Sequence, residues 1–163
     1  MIITAPLHET IQIKTKNTTI SLGIENKVGD FVLSGPGEYE IAGVEIEGVG
    51  KIYLFSTEEM RIAYLDKMDR PLNDLEQELV GDVDILFIPV GGDDVLDAKA
   101  ALQIINQVDP RIIIPVYYQE LASFTEVEGI APEYVDSLKI TRTTLPETER
   151  KVIVLPWKPL KKS

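Results

Sequence analysis

The spacing of apolar and polar positions divides the chain into a strand-rich amino half and a half in which helices appear after Pro71. Residues 1–4 open as a short apolar strand. Residues 10–14 and 19–24 alternate about a turn at Lys16-Asn17-Thr18, which predicts an antiparallel hairpin with one buried face. Residues 31–33 form another strand, ended by Ser34-Gly35-Pro36-Gly37. Over residues 40–47, Ile41, Val44 and Ile46 stand against Glu40, Glu45 and Glu47, predicting one half-exposed strand before a tight connection at Gly48 and Gly50. Residues 52–55 and 61–65 predict a second hairpin around residues 56–60.

The pattern then changes. Residues 71–80 put Leu72, Leu75 and Leu79 on one helical stripe, and Gly81 closes it. Two nearly continuous apolar runs, within residues 83–92 and 111–118, flank an amphipathic helix over 97–107. Runs of this kind suit strands buried on both faces, so the unit reads as a βαβ crossover with parallel neighbours. A short helix over 119–128 and strands over 138–140 and 152–155 follow. Residues 132–136 are too short to assign, and Pro156-Trp157-Lys158-Pro159 ends in extended form. The whole is read as one α/β (α+β) domain over residues 1–163, a β-sandwich with helices packed outside it.

Composition narrows the function classes. A net charge of −11 argues against nucleic acid, because phosphates would be repelled. Lys158, Lys161 and Lys162 are read as a solvated basic terminus. No apolar run approaches the ~20 residues of a membrane span. The opening Met1-Ile2-Ile3-Thr4-Ala5-Pro6 lacks the pattern of a secretory signal. Zero Cys excludes disulfides and thiolate metal sites and fits a cytoplasmic protein.

Several motifs occur together: Ser34-Gly35-Pro36-Gly37-Glu38-Tyr39-Glu40-Ile41-Ala42-Gly43-Val44, Ile88-Pro89-Val90-Gly91-Gly92, Leu96-Asp97-Ala98-Lys99 and Ile114-Pro115-Val116-Tyr117-Tyr118. In these the chain resembles the metallo-β-lactamase-fold hydrolases, in the branch similar to ascorbate-6-phosphate lactonase and uncharacterised Zn-dependent hydrolases. The likeness runs from Phe31 onward and reaches weakly to Ile3-Thr4 and His8. It implies an αββα sandwich and a two-metal centre of His and Asp ligands. The implied ligands are missing here. The His-x-His-x-Asp-His cluster has no counterpart, since only residues 25–30 lie in its place, which implies that the metal-binding strand–helix segment is deleted. The resemblance puts Gly23 near one family Asp, Tyr64 at a later His, Lys67 at the bridging Asp and Tyr117 at the last His. With one His and no Cys, the chain cannot build a His-rich binuclear zinc centre. Lys67 would set a cation where a metal belongs.

The candidate pocket residues that remain are His8, Tyr64, Asp66, Lys67, Asp93 and Tyr117. His8 could be a retained acid or base, and is read as a hydrogen-bonded structural residue. Tyr64, Tyr117 and Tyr118 could line a small-molecule pocket; filling the space of the metals is the favoured reading. Asp66, Asp69, Asp93 and Asp94 could hold Mg²⁺ or Ca²⁺ if they converge, against a simpler role as helix caps and solvated rim. Gly91-Gly92 ahead of a helix could bind an anion, but Asp93 and Asp94 oppose it. Ser34 and Ser56 have no His partner nearby in sequence. The expected protein is therefore a metal-free, cofactor-free relative of zinc hydrolases, acting as a binding or structural homo-oligomer without nucleic acid or membrane. Its rivals are a hydrolase with a rebuilt carboxylate or metal-free site, and a subunit completed by a hetero-complex partner.

Overall fold

The computed structural model describes residues 1–159. Lys161 and Lys162 of the expected basic terminus lie outside them; Lys158 is exposed and bridges to His8. Two sheets stack face to face. The first contains β1 (Ile2–Leu7), β2 (Thr10–Lys14), β3 (Thr19–Gly23), β4 (Lys27–Val28) and β5 (Phe31–Val32) in antiparallel succession.

The second sheet begins as an antiparallel meander of β6 (Gly37–Ile41), β7 (Val44–Val49), β8 (Ile52–Thr57) and β9 (Met60–Leu65). It continues in parallel through β10 (Ile85–Pro89) and β11 (Ile112–Val116). Between these strands come α1 (Asp74–Val80) and α2 (Ala98–Val108), and α3 (Ala122–Glu128) follows β11. Of the late strands, β12 (Glu133–Tyr134) and β14 (Lys151–Val154) extend the second sheet, and β13 (Ser137–Lys139) pairs with β1 at the edge of the first.

Alternation within each strand makes two cores. Ile85 and Phe87 of β10 point between the sheets, where Ile3, Ile11, Ile13, Ile20 and Leu22 meet them. Leu86 and Ile88 point the other way, onto Ala101, Ile104 and Ile105 of α2. A strand covered on both faces has no polar side to show, which is why β10 and β11 read as continuous apolar runs. The expected sandwich with outer helices is thus observed. All three helices pack on the second sheet, and among the described residues none covers the first. Only residues 24–26 link β3 to β4, in keeping with a lost strand–helix segment.

The helix starts follow their caps. Asn73 and Glu76 form a reciprocal capping box on α1, and the Asp97 carboxylate accepts from Ala100 N at 2.8 Å at the start of α2. Three expectations need correction. Residues 40–47 are not one strand: Ala42 (φ 50°) and Gly43 (φ 82°) make a two-residue turn, and Ile41 pairs with Val44 across the hairpin. Leu75 is 78% exposed rather than on the buried stripe, which leaves α1 anchored through Leu72, Leu79 and Val80. Of the two glycines expected at the next connection, Gly48 belongs to β7 and Gly50 (φ 58°) makes the turn. Within the described residues no helix is long and apolar enough to cross a membrane.

Candidate functional site

The carboxyl ends of β9, β10 and β11 are where an α/β sheet ordinarily places its chemistry. Ile62 and Tyr64 of β9 share the face between the sheets, while Ala63 and Leu65 face the helices. Tyr64 is therefore wholly buried, and Phe87 meets it edge-on at 6.5 Å. Beyond β11 the backbone turns through a left-handed Tyr117 (φ 57°), which aims that ring inward beside Trp157, 4.8 Å between centroids. The Tyr64 and Tyr117 hydroxyls lie 2.9 Å apart. Both donate to Asp66 Oδ1, at 3.0 Å from Tyr64 and 3.3 Å from Tyr117. Asn26, in the short link between β3 and β4, donates its amide to Asp66 Oδ2 at 3.3 Å and accepts from Gly23 N at 3.0 Å. Lys67, itself left-handed (φ 52°), holds its ammonium 5.5 Å from the centre of the Tyr117 ring.

Electrostatics keep both phenols protonated. Burial pushes Tyr64 far above its ordinary 10.0, and Tyr117 and the Asp66 carboxylate push it further. Burial also raises Tyr117, and the Asp66 and Glu9 carboxylates add to the rise. A neutral phenol is neither a nucleophile nor a zinc ligand. The donor set is two such phenols, one carboxylate, one amide and an ammonium, which does not fit the His/Asp metal centre that the resemblance implies. Among the described residues, no three His, Cys, Asp or Glu side chains gather closely enough to hold a metal ion.

The structure thus brings together Tyr64, Asp66, Lys67 and Tyr117, and leaves the other candidates apart. His8 is exposed, its Nδ1 3.1 Å from Pro159 O. Asp93 accepts from Gln119 Nε2 at 3.2 Å, and Asp69, 58% exposed, pairs with Lys51 at 3.5 Å. The all-oxygen cluster of Asp66, Asp69, Asp93 and Asp94 does not assemble. Tyr118 spends its hydroxyl on Leu155 O at 2.7 Å, outside the cluster.

Gly91 and Gly92 have a packing reason. A Cβ on Gly91 would sit 2.2 Å from Glu120 O, and one on Gly92 2.0 Å from Tyr117 O. The Gly91 N–H already donates to Leu96 O and is not free for an anion. Sequence reasoning missed Asn26, Trp157 and Glu9. Trp157 carried a signal, being a large ring between prolines near the end of the chain; Asn26 had only its place in a link too short to reach far.

With this geometry in hand, comparison with known proteins gives concordant results. The family described as the beta-lactamase superfamily domain matches residues 8–117. A UPF0173 protein of Pyrococcus furiosus is 30% identical over 109 residues, which are 64% of this chain and 46% of that protein. The chain spans about half the length of this curated relative. Among solved structures, a candidate Zn-dependent hydrolase of the metallo-β-lactamase superfamily from Thermotoga maritima superposes with a TM-score of 0.82 at 23% identity. That match covers 95% of this chain and 98% of the other. A candidate metal-dependent hydrolase from Parabacteroides distasonis gives a TM-score of 0.65 at 14% identity, over 96% and 93% of the two chains. At these identities the likeness is one of fold.

Proposed function

Since the chain belongs to the beta-lactamase superfamily, we propose that it is a metal-free, non-catalytic member that acts as a binding or structural protein. One observation carries this reading. The positions that the resemblance assigns to metal ligands, Tyr64, Lys67 and Tyr117, do meet in space, but they meet as two protonated phenols and a cation around Asp66. The space where ligands would converge is closed by Tyr64, 0% exposed, and Tyr117, 7% exposed. A hydrolase reading, suggested by the names of the solved neighbours, would need another metal set or an activated nucleophile, and this cluster supplies neither.

The same proposal includes self-association in the cytoplasm, without nucleic acid or membrane. Ile24 in the short link after β3 is 64% exposed, and Phe31 and Val32 of β5 are 46% and 43% exposed; apolar surface of this kind favours cover by a second copy. The test is elemental analysis of protein purified without chelator, together with its mass in solution. No stoichiometric zinc and a mass of at least two chains are expected. One zinc per chain would overturn the metal-free reading, and a monomer at micromolar concentration would remove the self-association.

A further inference from the structure

A metal centre at the mouth of a two-sheet sandwich does more than chemistry, because its ligands also pin separate segments to one point. The residues that stand there in this chain are joined in the same sense. Tyr64 and Asp66 come from the end of β9, Tyr117 from the end of β11, and Asn26 from the first sheet's link between β3 and β4. Asp66 is the hub. Its Oδ1 takes both phenols and its Oδ2 takes the Asn26 amide, whose own carbonyl is held by Gly23 N.

We propose that this Tyr64–Tyr117–Asp66–Asn26 cluster is a metal-independent clamp that fastens the β3–β4 link of the first sheet to the carboxyl end of the second. The inference rests on the metal-free reading of the same site and adds what the site does. Three details support it. The phenols are held neutral, so each keeps a proton to donate to the carboxylate. Glu9 (φ 43°), Lys67 (φ 52°) and Tyr117 (φ 57°), all close to the cluster in space or in charge interaction, are in the left-handed region that side chains other than glycine rarely adopt. Such backbone persists where surrounding contacts over-determine it. Finally, Gly23 cannot be replaced by a larger residue that would hold the link by packing, since a Cβ there would lie 1.7 Å from Glu9 O.

The clamp makes Asp66 a positioning residue for an amide it does not touch. Hydrogen exchange at the Gly23 amide is read in wild type, Asn26→Ala, Asp66→Ala and the conservative Asp66→Asn. Asn26→Ala removes the Gly23 acceptor directly and sets the full effect. Asp66→Ala is expected to raise Gly23 exchange by about tenfold, as loss of a hydrogen bond to a charged group should, and the Asn26→Ala/Asp66→Ala double variant to go no further than Asn26→Ala alone. Should Asp66→Ala fail to fold, Asp66→Asn carries the same reading with a smaller rise. Gly23 exchange that is unchanged in the Asp66 variants while Asn26→Ala raises it would overturn the clamp. Zinc content of the same preparations is measured separately. Stoichiometric zinc sinks the metal-free reading, and only an uncoupled Gly23 sinks the clamp in a metal-free protein.

Discussion

At the amino ends of β9, β10 and β11, Asp84 accepts from Arg61 N at 2.8 Å and pairs with Arg142 at 3.3 Å and Arg111 at 3.8 Å; at the carboxyl ends, two buried phenols converge on Asp66. The first end sets Asp84, 15% exposed, against Arg111 and Arg142, 42% and 49% exposed, and none of its members has a left-handed backbone. Its cations stand in water, where salt screens their pairing with Asp84. The second end has strained backbone at Lys67 and Tyr117 and hydroxyls removed from solvent. Strain of this kind collects at working sites. Here it surrounds two phenols held neutral, a carboxylate and an ammonium.

Phe87 is wholly buried between the sheets and supports Tyr64 edge-on. Phe87→Ala is expected to cost about 3–5 kcal/mol in denaturant titration, with the carboxyl end loosened more than the Asp84 end by local hydrogen exchange. A cost under about 0.5 kcal/mol would place the strand at the periphery and remove the packed support of the clamp.

Alkaline titration separates the ends next. Tyr64 and Tyr117 both have raised values in the folded state, so their stabilisation is fully present below the ordinary 10.0 and declines as pH rises past it. Each phenol that ionises only on unfolding removes about 1.4 kcal/mol per pH unit above that point. Unfolding free energy should therefore fall between pH 10 and 12 by roughly 2.7 kcal/mol per unit from the pair. Tyr64→Phe with Tyr117→Phe should flatten the slope. Equal slopes in the double variant and wild type would show that the two phenols already titrate in the native state.

Much of the fold was legible because its determinants are local. The βαβ unit announced itself through Ile85 to Ile88 and Ile112 to Ile114, apolar on both faces, with Asp97 at the helix start. The hairpin over residues 37–49 was misread because Ala42 takes a left-handed turn position that usually advertises itself as Asn or Gly; the three-residue step from Ile41 to Val44 was its only trace. Of the site, Tyr64, Lys67 and Tyr117 were found through the resemblance and Asp66 as one of four clustered carboxylates, and these four do assemble. Asp93 and His8 were named with them and sit elsewhere, since position in a motif fixes a strand end but not the direction of a loop side chain. Asn26 was invisible for the opposite reason. Its contact with Asp66 spans 40 positions and depends on how two sheets stack, which no local pattern encodes.

The smallest expected effect tests whether the strain at the carboxyl end still has a use. Lys67 adopts φ 52°, which costs a non-glycine residue about 1–2 kcal/mol. Lys67→Gly relieves that strain but adds about 0.5–1 kcal/mol of unfolded-state entropy. It also gives up a cation–π contact at 5.5 Å, worth about 0.5 kcal/mol at an exposed site. The three nearly cancel, so the variant should match wild type within about 0.5 kcal/mol in denaturant titration. If instead it loses more than about 1.5 kcal/mol, the ammonium is an integral part of the cluster. The carboxyl end would then be held by charge as well as by phenols, and its contrast with the Asp84 end would narrow to burial alone.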